Sequence, residues 1–271
     1  MQEEKANRTR KERADKVLFN RGLAESRQKA QALILAGNVF FRDKRIEKAG
    51  QMIDVDQEIF LKSNLLYVSR GGLKLEEALK VFQVSVKDKT AADLGASTGG
   101  FTDCLLKNGA KKVYAVDVNT RQLDWNLRKD PRVFLIERNA RYLNRYDFPE
   151  TLDIVTSDLS FISVIKVLPA VKGILGEGKL ISLIKPQFEV RKNQVGKRGI
   201  VRNPSLHEEV LMRIIEEAEK MGFYFEKVFK CSVRGQKGNQ EFFIIFSLNG
   251  QTLPHAERQR LIKEAVWNEK D

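Results

Sequence analysis

"TAADLGASTGGFTDCLL", Thr90–Leu106, is the stretch on which the reading of the fold turns. An apolar run ends at Leu94, a loop of glycines and small residues follows, and helical spacing resumes near Gly100. Glycine lets the backbone turn sharply and approach another group closely. The first N–H groups of the following helix have no partner inside the helix, so they face whatever occupies the loop. Strand, tight loop and helix in this order make a cradle for a nucleotide-like ligand. A dinucleotide site would read G-x-G-x-x-G. Here the spacing is Asp93-x-Gly95-x-Ser97-Thr98-Gly99-Gly100, which departs from that fingerprint.

The departure fits a loop that packs the methionine end of S-adenosylmethionine. About twenty residues on, "VYAVDVN" ends a second strand in Asp117, where a carboxylate can accept both hydroxyls of a ribose. Dinucleotide and S-adenosylmethionine folds share that feature, so Asp117 does not separate them. Asn139, in "ERNARYL" after the third strand, stands where such folds contact the adenine. The expected cofactor residues are thus Asp93, Gly95, Ser97, Thr98, Gly99, Gly100, Asp117 and Asn139.

Outward from the loop, strands are expected at 90–94, 112–117, 132–137, 153–158, 179–185, 223–230 and 240–246. Helices are expected at 100–108, 161–172 and 205–221, and "GGLKLEEALKVF" places Leu75, Ala78, Leu79 and Phe82 on one helical face before them. Such alternation predicts an α/β fold, a mostly parallel sheet covered by helices on both faces. Only the short polar link "CSVRGQKGN" joins the last two strands, so they should form an antiparallel hairpin. A seven-stranded, mostly parallel sheet with that ending is the Rossmann-like plan of class I methyltransferases.

The chain has 271 residues, 42% of them hydrophobic, enough for a sizeable core in more than one domain. Its net charge of +12 favours a polyanionic partner, nucleic acid before an anionic membrane surface. Two distant cysteines, Cys104 and Cys231, make neither a disulfide framework nor a zinc site, and no metal cluster is expected. The N-terminus has no apolar signal core, and no apolar run approaches the ~18 residues of a membrane span. The expectation is a soluble, cytoplasmic protein with no stable membrane association.

Residues 1–12 are highly charged and expected to be disordered. From Arg13 the chain reads as a short helix, a turn at Gly22, a second helix capped by Ser26, a turn at Gly37-Asn38, and short strands. The second helix carries Ala30, Leu33 and Ile34 on one face and Arg27 and Lys29 on another. A basic helical stripe can lie on a phosphate backbone, as can an ordinary solvated face. The Arg21-Gly22-Leu23 turn, Ser26-Arg27 and Ala36-Gly37-Asn38-Val39 resemble the small α+β RNA-binding domain shared by a small-subunit ribosomal protein and some pseudouridine synthases. The resemblance implies that residues 13–60 bind structured RNA, through Arg13, Arg21, Ser26, Arg27 and Lys29. Residues 61–69 read as a linker, 70–250 as the methyltransferase domain, and 251–271 as a polar, helical tail.

The fourth strand discriminates among methyl acceptors. "TSDLSF" has no prolines of the kind used for exocyclic amines, and neither cysteine follows a proline as a pyrimidine-attacking nucleophile often does. An oxygen acceptor remains. A ribose 2′-OH releases its proton well above a lysine's ~10.4, so the site must take up that proton or stabilise the developing alkoxide. Lys185 stands at the end of an apolar run, "LISLIKPQFE", with Pro186 stopping the strand behind it. Strands four and five end beside the ligand crevice of a doubly wound sheet. Lys74, Asp158, Lys185 and Glu241, in that order, resemble the tetrad of FtsJ-like 2′-O-ribose methyltransferases. "SRGGLKL", "SDLSFIS", "LIKPQFE" and "GNQEF" narrow the resemblance to the TlyA family, which joins both domains and is often labelled haemolysin. It implies methylation of a ribose, in cytidine, within ribosomal RNA of the ribosomal subunits. The basic loop after strand five adds Arg191, Lys192, Lys197 and Arg198 as expected RNA contacts. Two other readings stand beside this one: a membrane-damaging haemolysin, and a non-catalytic RNA-binding assembly factor.

Overall fold

The computed structural model describes residues 10–41, 44–55, 59–61, 66–196, 199–235 and 238–268. The chain falls into two compact units that divide between Ser69 and Arg70.

In the first unit, β1 (Lys11–Arg13) leads directly into α1 (Ala14–Asn20), and α2 (Arg27–Leu35) follows. β2 (Val39–Phe41), β3 (Lys44–Arg45), β4 (Met52–Asp54) and β5 (Ile59–Leu61) complete it. β1 pairs antiparallel with β4, and β2 is flanked by β3 and β5. Ser26 caps α2 as expected, its hydroxyl accepting from the Lys29 amide at 3.1 Å. Gly22 and Gly37 take φ of +69° and +74°, the left-handed conformation that closes each helix. Ala30 and Ile34 are fully buried with Val17, Leu18, Val39 and Ile46, while Leu33 is only partly so. Two boundaries differ from expectation. Lys11 and Glu12 belong to β1, because strand pairing is made by the backbone and tolerates charged side chains; residues 1–9 lie outside the described residues. At the linker, Leu61 closes β5 and Tyr67 is buried, while residues 62–65 lie outside the described residues.

The second unit opens with α3 (Arg70–Phe82), whose buried face includes Leu75, Ala78, Leu79 and Phe82 as expected. Then come β6 (Thr90–Leu94), α4 (Gly100–Lys107), β7 (Lys112–Asp117), α5 (Trp125–Lys129) and β8 (Val133–Glu137). β9 (Leu152–Ser157), α6 (Leu168–Ile174), β10 (Leu175–Ile184), α7 (Pro186–Glu189), α8 (Pro204–Lys220), β11 (Tyr224–Lys230), β12 (Phe242–Ser247) and α9 (His255–Trp267) complete it. The strands form one seven-stranded sheet in the order β11-β12-β10-β9-β6-β7-β8. β12 alone runs antiparallel, to both β10 and β11.

Three elements depart from the sequence reading. The helix expected from Phe161 begins at Leu168, because Pro169 has no N–H to give a preceding turn and is tolerated only in the first one. β10 starts at Leu175 rather than Lys179; a register shift lies between them, and a Cβ at Gly178 would sit 1.9 Å from the Asp153 carbonyl. The C-terminal segment is not a bare tail. α9 contributes Ile262, Ala265 and Val266 to the main core, beside Val210, Ile214 and Phe225. Both cysteines are free and buried. Among the described residues, no helix is long and apolar enough to cross a membrane.

Candidate active site

The glycine loop joins β6 to α4. Gly95 and Gly99 take φ of +83° and +96°, and Ser97 also takes the left-handed region at +48°. A Cβ at Gly95 would lie 2.7 Å from the Asp158 carbonyl, so the bare backbone lets this loop press against the end of β9. At Gly99 a Cβ would meet Leu127 and Leu123 at 2.4 and 2.9 Å. Ser97 and Thr98 are exposed on the loop, and Gly100 begins α4.

Asp117 ends β7, partly exposed. Its Oδ2 accepts from the Ser97 amide at 2.9 Å and its Oδ1 from the Asn119 amide at 3.0 Å. Two amides thus hold the carboxylate at the loop, and its four lone-pair sites leave acceptor capacity for a diol. These features fit S-adenosylmethionine: a turn with glycine at both ends, helix N–H groups and an anchored acidic acceptor.

Asp93 and Asn139 each make contacts within the protein. Asp93 is fully buried and accepts from the Thr102 hydroxyl at 2.7 Å, which ties β6 to α4. Burial pushes its carboxyl up to about 7 against the pull of Thr102. It therefore supports the loop from beneath. Asn139 is exposed, and its side-chain oxygen caps the turn 140–142 through the Arg141 amide at 3.0 Å.

The four candidate chemical residues come together as two ion pairs. Lys74 Nζ donates to Glu241 Oε2 at 2.7 Å, both almost wholly buried. Lys185 Nζ lies 2.6 Å from Asp158 Oδ1 and donates to the Ser160 hydroxyl at 3.0 Å; these two side chains keep 13% and 25% of their exposure, enough to reach a ligand. Burial alone would raise Asp158, but Lys185 and Lys74 outweigh it and hold the carboxyl below its usual range. Burial dominates at Glu241 and raises it, with Lys74 and Lys185 pulling down and Asp158 pushing up. Each pair thus feels the other. β9 and β10 are parallel neighbours whose ends supply Asp158 and Lys185. Glu241 stands just before β12, which neighbours β10 from the other side, and Lys74 comes from the second turn of α3.

Other residues at this site were missed in the sequence. Phe188 lies under the Lys185 ammonium at 6.0 Å and packs on Phe161, which is 89% exposed with φ of +65°. Glu189 is buried, and its Oε1 accepts from the Val164 amide at 2.8 Å, joining the turn after β10 to the segment after β9. The spacing Lys185–Glu189 was the one available clue, since a helical turn begun by Pro186 puts those positions on one face. A Cβ at Gly235 would lie 1.8 Å from Glu241 Oε1, so only glycine leaves room for that carboxylate.

Of the expected RNA contacts, Arg13 and Arg27 both reach the buried Asp15, at 3.0 and 2.9 Å. Their hydrogen bonds, with that of Gln31, hold Asp15 well below the usual carboxylate range. Each arginine keeps about half its exposure (46%) and so still faces solvent. Arg21 donates to the Val55 carbonyl, and Ser26 is engaged as the helix cap. Lys29 and Arg191 are exposed. The side chain of Lys192, and Lys197 and Arg198 altogether, lie outside the described residues.

The model of the FtsJ-like methyltransferases matches residues 67–248, and that of the S4 domain matches residues 12–59. The chain is 41% identical over 239 residues to the 16S/23S rRNA (cytidine-2′-O)-methyltransferase TlyA of Mycobacterium tuberculosis, covering 87% of this chain and 89% of that one. It is 42% identical to Hemolysin A of Brachyspira hyodysenteriae, over 86% of this chain and 99% of the other. A solved structure from Streptococcus thermophilus that bears a hemolysin label superposes with a TM-score of 0.73 at 42% identity, over 95% of this chain and 96% of that one. With an S4 domain ahead of an FtsJ-like catalytic domain and this identity across both, the chain belongs to the TlyA family of S-adenosylmethionine-dependent methyltransferases.

Proposed function

We propose that this protein methylates a ribose 2′-oxygen of ribosomal RNA, in cytidine, within ribosomal subunits, and that Lys74, Asp158, Lys185 and Glu241 carry the chemistry. One observation carries the reading: two lysine–carboxylate pairs stand at neighbouring strand ends, beside a loop that presses on one of those carboxylate-bearing segments. Bound S-adenosylmethionine supplies an electrophilic methyl carbon. Asp117 would hold its ribose, and the backbone from Gly95 to Gly100 would hold its other end.

Lys185 is the residue that acts on the acceptor oxygen, because it is the more exposed of the two lysines and is aimed by both Asp158 and Ser160. As a neutral amine it removes the hydroxyl proton; as an ammonium it stabilises the developing oxyanion. A single-turnover rate that climbs with pH marks the base, and one that falls as the lysine loses its proton marks the cation. Asp158 keeps Lys185 in place in either form, and the Lys74–Glu241 pair sets the field behind it. A 2′-hydroxyl inside a helix is out of reach of so recessed a pair, so the target nucleotide is turned out to react. The S4 domain docks structured RNA, with Arg13, Arg21, Arg27 and Lys29 at the phosphates, and Arg191, Lys192, Lys197 and Arg198 grip the backbone beside the site.

The test is incubation of purified ribosomal subunits with labelled S-adenosylmethionine, followed by mapping of the modified position. A 2′-O-methylated cytidine is the expected product. Label on a base, or none on either subunit, would refute the proposal.

A further inference from the structure

The segment between β11 and β12 is fastened to α3 at both ends. At one end the Ser232 amide donates to both carboxylate oxygens of Glu77, at 3.2 and 3.1 Å. At the other, Glu241 meets Lys74, three residues before Glu77 on the same helix. Between these anchors Asn239 is 3% exposed, and its amide bonds to a different segment. Its Nδ2 donates to the Gly199 carbonyl at 3.0 Å, and its Oδ1 accepts from the Val201 amide at 3.1 Å. One side chain thus imitates a strand rung against the returning arm of the basic loop. That arm is gripped again by His207, whose Nε2 lies 3.1 Å from the Val201 carbonyl. Burial holds His207 below its ordinary value, so this contact belongs to the neutral ring. The outgoing arm is fixed separately: Arg213 donates to the Glu189 carbonyl at 2.6 Å.

We propose that Asn239 is a positioning residue that couples the basic loop to the Lys74–Glu241 pair, so that RNA held on the loop sets the placement of Glu241. The proposal rests on the function proposed above and adds a coupling to it. Only Gln240 separates Asn239 from Glu241, and the Gly235 amide donates back to the Asn239 carbonyl at 2.9 Å. Displacement of the loop therefore pulls on the short segment that both crowds Glu241, through Gly235, and carries it. No other polar side chain described between Gly235 and Glu241 is hydrogen-bonded in both directions to the loop's backbone.

Asn239→Asp is the informative variant. It is isosteric and still accepts from Val201, but its carboxylate would oppose the Gly199 carbonyl instead of donating to it. Asn239→Ala removes both bonds without adding charge and controls for that repulsion. Single-turnover methyl transfer to ribosomal subunits should slow by roughly 10- to 100-fold in both variants, the scale of a small misplacement of reacting groups. S-adenosylmethionine affinity, which depends on the loop after β6, should stay within about twofold, and this also checks that the domain folds. Arg191→Glu in the basic loop should slow the wild type but have a smaller effect in the Asn239→Asp background. A purely structural role would leave the two effects multiplicative. Full-rate transfer by Asn239→Asp, or multiplicative effects, would overturn the inference alone. A wild type that methylates no ribosomal RNA would overturn the function on which it rests, and the inference with it.

Discussion

At the scale of single residues, the site is a matter of which charges stand next to which. Lys185 is held by Asp158 and Ser160 at hydrogen-bonding distance, and little else described at the site combines its exposure with a cationic head. Lys185→Ala should therefore lower the single-turnover rate by about 10²- to 10⁴-fold while S-adenosylmethionine affinity changes little. Rapid-quench kinetics beside equilibrium binding would check this, and parallel losses in both would point to damage to the fold instead. Asp93 makes a prediction about stability. Burial puts its carboxyl at about 7 in the folded protein, whereas the unfolded chain releases that proton near ~3.9. Its contribution is complete below the unfolded value and lost as pH rises through about 7. Asn at position 93 keeps a partner for Thr102 and cannot titrate. Denaturant midpoints of Asp93→Asn at about pH 5 and about pH 8 should differ less than those of the wild type. An equal difference would mean that the carboxyl is ionised throughout.

At the scale of elements, the parallel sheet was legible because each of its strands is a short apolar run bounded by polar or glycine-rich links. β6 and β7 begin and end where that pattern places them. The glycine loop was legible for the same local reason. Lys74 was the least legible of the four site residues: in sequence it is one lysine among several on a helix, and its burial appears only when β12 brings Glu241 against α3. α9 was underestimated because its polar composition hides three buried positions, Ile262, Ala265 and Val266, at helical spacing. Removing side-chain volume there tests whether the last helix belongs to the domain. Ile262→Ala should cost about 2–5 kcal/mol of stability, as for a buried aliphatic truncation. Chemical denaturation would measure it, and a loss under about 0.5 kcal/mol, the size of a surface substitution, would show α9 to be dispensable.

At the scale of the whole molecule, a net charge of +12 favours a polyanionic partner, and the proposed function makes that partner RNA. RNA affinity should fall linearly with salt on logarithmic axes. Lys29→Ala in the S4 domain and Arg191→Ala in the basic loop should each weaken binding and reduce that slope by roughly one unit. Filter binding across a salt series would measure both, and a slope unchanged by either substitution would remove that residue from the interface. The position of β12 has a further consequence, for the order in which the protein becomes active during synthesis. The pair between Lys74 and Glu241 spans 167 positions of sequence, and the strand that follows Glu241 lies between β10 and β11. A nascent chain can present β6 to β10, and the loop proposed to hold the methyl donor, while Glu241 is still to be made. The ribosome must release nearly the whole catalytic domain before the last strand slots in. On the proposed mechanism, a chain still in synthesis would therefore gather its donor before it could spend it on the RNA that is making it.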